Sequence, residues 1–87
     1  MSVAVELTYD MSKALGLRRF EVEDAGTVRD VLRIARDRFG EQGEAFDKLT
    51  RLTAIAVNGV LVNHQRGIRT RLSDGDTVAF LKPAAGG

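Results

Sequence analysis

Near the start of the chain hydrophobic residues fall at every second position: Val3, Val5, Leu7 and Tyr9 alternate with Ala4, Glu6 and Thr8. A period of two puts one set of side chains on one face of a strand, so a first strand is expected here with that face on a core. Asp10 to Gly16 is polar and reads as a turn. Leu17 to Glu23 then sets Phe20 and Val22 against Glu21 and Glu23, which predicts a second strand as the hairpin partner of the first. After Asp24-Ala25-Gly26 the period switches. Val28, Val31, Leu32, Ala35 and Phe39 recur at i, i+3 and i+4, the apolar stripe of a helix over Thr27 to Phe39. Thr27 with Asp30 makes an N-terminal capping pair, and Gly40 supplies the stop. The opposite face, with Arg29, Arg33, Arg36 and Asp37, is expected to be solvated.

Glu41 to Leu52 is polar apart from Phe46, Leu49 and Leu52, which predicts a loop holding one helical turn pinned to the core. Ala54 to Val57 reads as a strand with Ile55 and Val57 inward. Asn58-Gly59 follows as a hairpin dipeptide, because both residue types tolerate positive φ. Val60 to Val62 is the short return strand. Asn63 to Ser73, anchored by Ile68 and Leu72, reads as an irregular crossover, and Asp74-Gly75-Asp76 as a turn into a last strand, Thr77 to Leu81, with Val78 and Phe80 inward. Strand, strand, helix, strand, short strand, strand is an α+β order: one main helix across one face of a mixed sheet of about five strands. That arrangement resembles the β-grasp, the ubiquitin-like fold.

Length and composition narrow the function. Eighty-seven residues make one small domain, with 44% hydrophobic and 29% charged residues, ordinary values for a globular chain. A net charge of +1 lacks the strong basic excess that drives binding to bulk nucleic acid. No membrane-spanning stretch or export signal is visible, and cysteine is absent, which excludes disulfides and thiolate chemistry and fits a cytoplasmic protein. His64, the one histidine, has no nearby acid or thiol to complete a catalytic or metal set, so it reads as a surface residue. Arg66, Arg69 and Arg71 read as a solvated loop, with an acidic partner surface or an RNA phosphate as the functional alternative.

The end of the chain is different. Pro83 cannot donate a ladder hydrogen bond, so the domain is expected to span residues 1–82 and a slim tail residues 83–87. With nothing bulky to bury, the tail is expected to be mobile. From Asp74-Gly75-Asp76 through Thr77-Val78-Ala79-Phe80-Leu81-Lys82-Pro83-Ala84-Ala85-Gly86-Gly87, the chain resembles the MoaD and ThiS family of ubiquitin-like sulfur carriers, as does Ala54-Ile55-Ala56-Val57-Asn58-Gly59. The resemblance implies a carrier and not an enzyme. An E1-like enzyme would adenylate the Gly87 carboxylate with ATP, a sulfur donor protein would convert it to a thiocarboxylate, and a downstream synthase would accept the sulfur. No cofactor is bound in that scheme; ATP is used by the activating partner. The chemistry needs such an end on its own terms. A carboxylate is a poor electrophile until esterified with a good leaving group, and small residues let a chain end thread a narrow site. Gly86, Ala84, Ala85 and Pro83 meet that second demand.

Strand alternation leaves Ala56, Ala79 and Leu81 outward, with Ala4 beside them, as an expected patch for partner docking. The recipient pathway is left open among cysteine, molybdopterin, thiamine and other sulfur-containing products. The long link from Asn58-Gly59 to Asp74-Gly75 is more similar to carriers of the cysteine-forming branch than to compact MoaD chains, and Lys82-Pro83 departs from the Pro-Pro of MoaD tails. Two other functions compete: a ubiquitin-like modifier joined to lysines through Gly87, and a β-grasp binding module without tail chemistry.

Overall fold

The computed structural model describes residues 1–83. Five strands form one sheet: β1 (Ser2–Glu6), β2 (Arg19–Glu23), β3 (Ala54–Val57), β4 (Val60–Leu61) and β5 (Thr77–Leu81), in the order β2-β1-β5-β3-β4. β1 pairs antiparallel with β2 and parallel with β5, and β3 pairs antiparallel with both β4 and β5, so the sheet is mixed. Helix α2 (Val28–Phe39) packs across one face, which is the β-grasp arrangement expected from the order of elements. Its start is capped as the sequence predicts. Thr27 Oγ1 accepts from the Asp30 amide at 3.2 Å, and the chain turns out of the helix at Gly40 with φ 57°.

Two further helices stand where the sequence reads as turn and loop. α1 (Tyr9–Leu15) lies between β1 and β2, so these neighbours are joined through a helix and not by a tight turn. Thr8 caps α1, Met11 and Leu15 bury its inner face, and Gly16 closes it at φ 85°. The alternation that predicts a strand as far as Tyr9 therefore overshoots: β1 stops at Glu6, and Tyr9 is exposed. α3 (Gly43–Arg51) follows α2 after one 3₁₀ turn, Gly40–Gln42, and replaces the expected loop. The reason is Phe46. Fully buried, it needs a rigid scaffold, and the half-buried Ala45 and Leu49 pack against the same core.

All four phenylalanines form one chain through that core. Phe20 of β2 meets Phe39 of α2 edge-on with centroids 5.6 Å apart, Phe39 lies 5.3 Å from Phe46, and Phe46 meets Phe80 of β5 edge-on at 5.8 Å. Aromatic pairs of this geometry contribute roughly 0.5–1.5 kcal/mol each beyond their burial. Val3, Val5, Val22, Val57, Val78, Val28, Val31 and Ala35 fill the space around them. The predicted inward residues thus face one another, with Leu32, Ile55 and Phe39 at the half-buried margin. Ile68, expected as an anchor, is instead exposed; buried Val62 and Leu72 pin the crossover. α2 and α3 approach closely at Gly43, where an added Cβ would sit 2.9 Å from the Arg36 carbonyl oxygen, and Arg36 Nε reaches Asp47 at 2.6 Å across the same seam.

Among the described residues no helix is long and apolar enough to cross a membrane. Three substitutions test the packing. Phe46→Ala should lower unfolding free energy by about 4 kcal/mol, the range for deleting a buried aromatic, and Phe80→Ala by about 3 kcal/mol; urea midpoints measure both. Gly43→Ala should also lower the midpoint, although alanine favours helix by about 1 kcal/mol over glycine, because the backbone contact with Arg36 forbids the methyl group.

Candidate functional site

β5 brings the chain end out of the middle of the sheet. Its start is held by a polar clamp. The Asn58 Nδ2 donates to Asp76 Oδ1 at 2.9 Å, the Thr77 amide donates to Asn58 Oδ1 at 2.9 Å, and the Ser73 amide donates to Asp76 Oδ2 at 2.8 Å. The Gly75 amide adds a bond to the Ser2 carbonyl, and the Ser2 amide one to Asp74 Oδ1. Thus Asn58 does more than turn the hairpin, where it adopts φ 50°; its side chain also fixes the register of the last strand. From that clamp β5 runs through Val78 and Phe80 in the core to Leu81, after which Lys82 and Pro83 are exposed. Ala84, Ala85, Gly86 and Gly87 lie outside the described residues, and so does the expectation of a mobile tail.

The sheet face away from α2 is ordered differently from a simple apolar patch. Register places Ala56 opposite both Ala79 and Leu61, and Ala4 opposite Thr77 and Glu21. These residues are on the outward face as expected. Yet Ala56 is only 1% exposed and Ala4 is buried as well, because each carries a single methyl group on an inner strand that has a paired strand on both sides. Of the three expected docking residues on the strands, Leu81 offers the most surface at 42% exposure, Ala79 is half-buried, and Ala56 serves as floor. At the β2 side the same face turns polar, with Arg19 and Glu6 directly opposite and paired at 2.9 Å.

A second feature beside the chain end is absent from the sequence reading. A groove of about 460 Å³ runs between the start of α1 and the end of α3, with Met11, Leu49 and Leu52 in its lining, Tyr9 on α1, and Lys82 and Pro83 from the departing chain. Tyr9 at 74% and Leu52 at 71% exposure are the most exposed large hydrophobic residues described. Their signal was present: Thr8, Asp10 and Gly16 are the cap, first-turn acid and stop of a short helix, with Met11 and Leu15 four apart. So Leu81 on one side and the groove on the other flank the exit of Lys82 and Pro83. His64 is exposed, and among the described residues no group of three His, Asp or Glu side chains could hold a metal.

In three dimensions the chain is similar to small archaeal modifier protein 1 (SAMP1) from Methanosarcina acetivorans, with TM-score 0.75 at 22% identity over 99% of this chain and 96% of that one. It is also similar to a chain in the Amycolatopsis orientalis BexX/CysO complex, with TM-score 0.73 at 23% identity over 98% and 99% of the two chains. These two likenesses carry the fold. A chain in the complex of subunits 1 and 2 of the molybdopterin-converting factor from Helicobacter pylori is 25% identical, with TM-score 0.67 over the full length of both. No curated protein matches by sequence. A sequence model of the ThiS family matches residues 10–87, from within α1 through the terminal glycines. With that match covering most of a β-grasp domain, the chain belongs to the ThiS family of ubiquitin-like sulfur carriers.

Proposed function

We propose that the chain carries sulfur as a thiocarboxylate on Gly87. The observation that carries this reading is the family match extending through Gly86-Gly87, on a chain whose last strand ends in exposed Lys82 and Pro83. In the proposed sequence the Gly87 carboxylate oxygen attacks the α-phosphorus of ATP on an E1-like enzyme, and pyrophosphate leaves. A donor protein's persulfide then attacks the acyl carbon, AMP departs with the original oxygen, and a thiol cleaves the S–S bond of the acyl disulfide so formed, leaving a disulfide with the donor's sulfur and a terminal thiocarboxylate. The resulting thiocarboxylate is spent on a downstream acceptor enzyme. What the domain contributes is position: a rigid β5 delivers a slim chain end whose carboxylate meets the reacting phosphate at high effective concentration.

Docking of the activating enzyme is assigned to the surface that flanks the exit, Leu81 on the sheet and Tyr9 with Leu52 at the groove. Exposed large apolar residues gathered at one place favour a partner contact over scattered surface residues. Neighbours of this fold occur in complexes with a second protein, as in the Helicobacter pylori and Amycolatopsis orientalis pairs. A modifier role, with an acceptor lysine in place of sulfur, is the second reading, favoured by the likeness to proteins titled small archaeal modifier. It shares the adenylation step and differs only in the nucleophile.

Incubating the chain with its E1-like partner, ATP and a sulfur donor should raise the intact mass by the exchange of one oxygen for one sulfur. Deleting Gly87 should abolish the shift, and equal activity of the truncated chain would defeat the reading. Lysine conjugates on a blot that depend on Gly87, with no mass shift, would select the modifier role. Leu81→Asp should weaken the adenylation kcat/KM by roughly tenfold, about 1.4 kcal/mol of binding, while the urea midpoint stays near wild type because the residue is on the surface.

A further inference from the structure

The crossover between β4 and β5 is irregular but firmly held. Thr70, 4% exposed, donates through Oγ1 to the Gly67 carbonyl at 2.7 Å and accepts from the Arg66 amide at 3.3 Å. Its own carbonyl accepts from the Val28 amide of α2, and the Leu72 amide donates to the Gly26 carbonyl, so Arg71 is bridged to Thr27 on both sides. Gln65 Nε2 ties the turn to the Val60 carbonyl at 3.0 Å. On this fixed frame stand Arg66, Arg69 and Arg71, all exposed, and among the described residues none of their guanidinium groups has an ion-pair or hydrogen-bond partner. No acidic residue lies between Asn58 and Ser73. The nearest carboxylates in sequence, Asp74 and Asp76, are occupied by the amides of Ser2 and Ser73 and by Asn58. Two large aliphatic residues share the module and are exposed, Val60 at 49% and Ile68 at 47%.

The patch is part of a charge division across the molecule. Residues 1–47 hold seven Lys and Arg against ten Asp and Glu, and residues 48–87 hold six against two, a balance of −3 and +4. The first group supplies β2 and β1 of the sheet and the second β5, β3 and β4. β5 starts after the crossover at Thr77 and ends at Leu81, so its two ends lie about 14 Å apart at roughly 3.4 Å per residue.

We propose that the crossover is a second docking surface, distinct from the chain end, for a compact acidic protein surface that sets carboxylates on Arg66, Arg69 and Arg71 and an aliphatic side chain on Ile68 and Val60. Rigidly presented guanidinium groups pair well with carboxylates, and arginine around an apolar spot is the composition of protein interfaces. A polynucleotide fits less well. Its evenly charged backbone extends beyond one patch, and the exposed aromatic Tyr9, which could stack a base, lies at the groove beside Lys82 and Pro83. The surface is built from residues of the crossover and shares none with Leu81, Lys82 and Pro83 at the far end of β5. The proposal does not rest on the tail chemistry.

The test is titration of the ¹⁵N-labelled full chain with three probes: hexaglutamate, a hexapeptide of four glutamates and two leucines, and hexauridylate. Amide shifts should concentrate at Gln65 to Arg71 with both peptides, and should fade as added salt shortens the screening length. The leucine-containing peptide should bind several-fold tighter than hexaglutamate, and Ile68→Ser should erase that difference. The double substitution Arg66→Glu and Arg69→Glu should weaken peptide binding at least about tenfold with a wild-type amide spectrum elsewhere, as expected for loss of a complementary charge pair. Deleting Gly86 and Gly87 should change nothing. Shifts centred on other residues, or insensitivity to the arginine substitutions, would overturn the proposal; tighter binding of hexauridylate at the same residues would replace it with a nucleic-acid surface.

Discussion

Insertion of β5 between β1 and β3 is the constraint on which the rest of the molecule depends. The strand latest in sequence among the described residues becomes the central strand of the sheet, bonded on both edges, with Ala4 opposite Thr77 and Val57 opposite Val78. Pairing residues from the two ends of the chain carries a large loop-closure cost, which must be offset by packing that forms with it. The aromatic chain supplies that packing, since Phe80 on β5 touches Phe46 on α3 and through it reaches Phe39 and Phe20. The clamp of Asn58, Ser73 and Asp76 sets the register at the point where the strand enters. A slip by one residue there would turn Val78 and Phe80 to the outward face.

The position of the exit follows from the same constraint. β5 is paired on both edges, so Lys82 and Pro83 leave from a fixed point flanked by Leu81 and the apolar groove. The crossover is its counterpart at the other end. Because β4 lies at the sheet edge and β5 at its centre, the chain must travel back across the molecule, and the hydrogen bonds of Thr70 and Leu72 to the start of α2 hold that path in place. One topological requirement thus produces two presented surfaces, apolar at the exit and basic at the return.

Much of this was legible in the sequence wherever a local pattern was strong enough to stand alone. The α2 stripe with its Thr27 cap and Gly40 stop, the Ala54–Val57 strand, the Asn58-Gly59 turn and the Thr77–Leu81 strand agree with the structure residue by residue, because periodicity and caps are properties of neighbours along the chain. The terminal glycines and the Asp-Gly-Asp turn before them likewise pointed to the carrier family, which the match over residues 10–87 shows. α1 was missed because the alternation of β1 runs on into Leu7 and Tyr9, and α3 was read as one helical turn at Phe46, Leu49 and Leu52 because no capping side chain marks where the longer helix starts.

What the sequence determined by itself, then, was the α+β order, the main helix and the family, all encoded in short-range spacing and in a terminal motif. Tertiary structure alone decided the rest. It buried Ala56 on an inner strand, exposed Ile68, and turned Asn58 from a turn residue into the clamp of the last strand. It also brought Met11, Leu52 and Pro83 together around one groove from three separate parts of the chain. Exposure and convergence depend on which strand lies beside which, and that is set by the long-range pairing of β5, a contact no window of neighbouring residues contains.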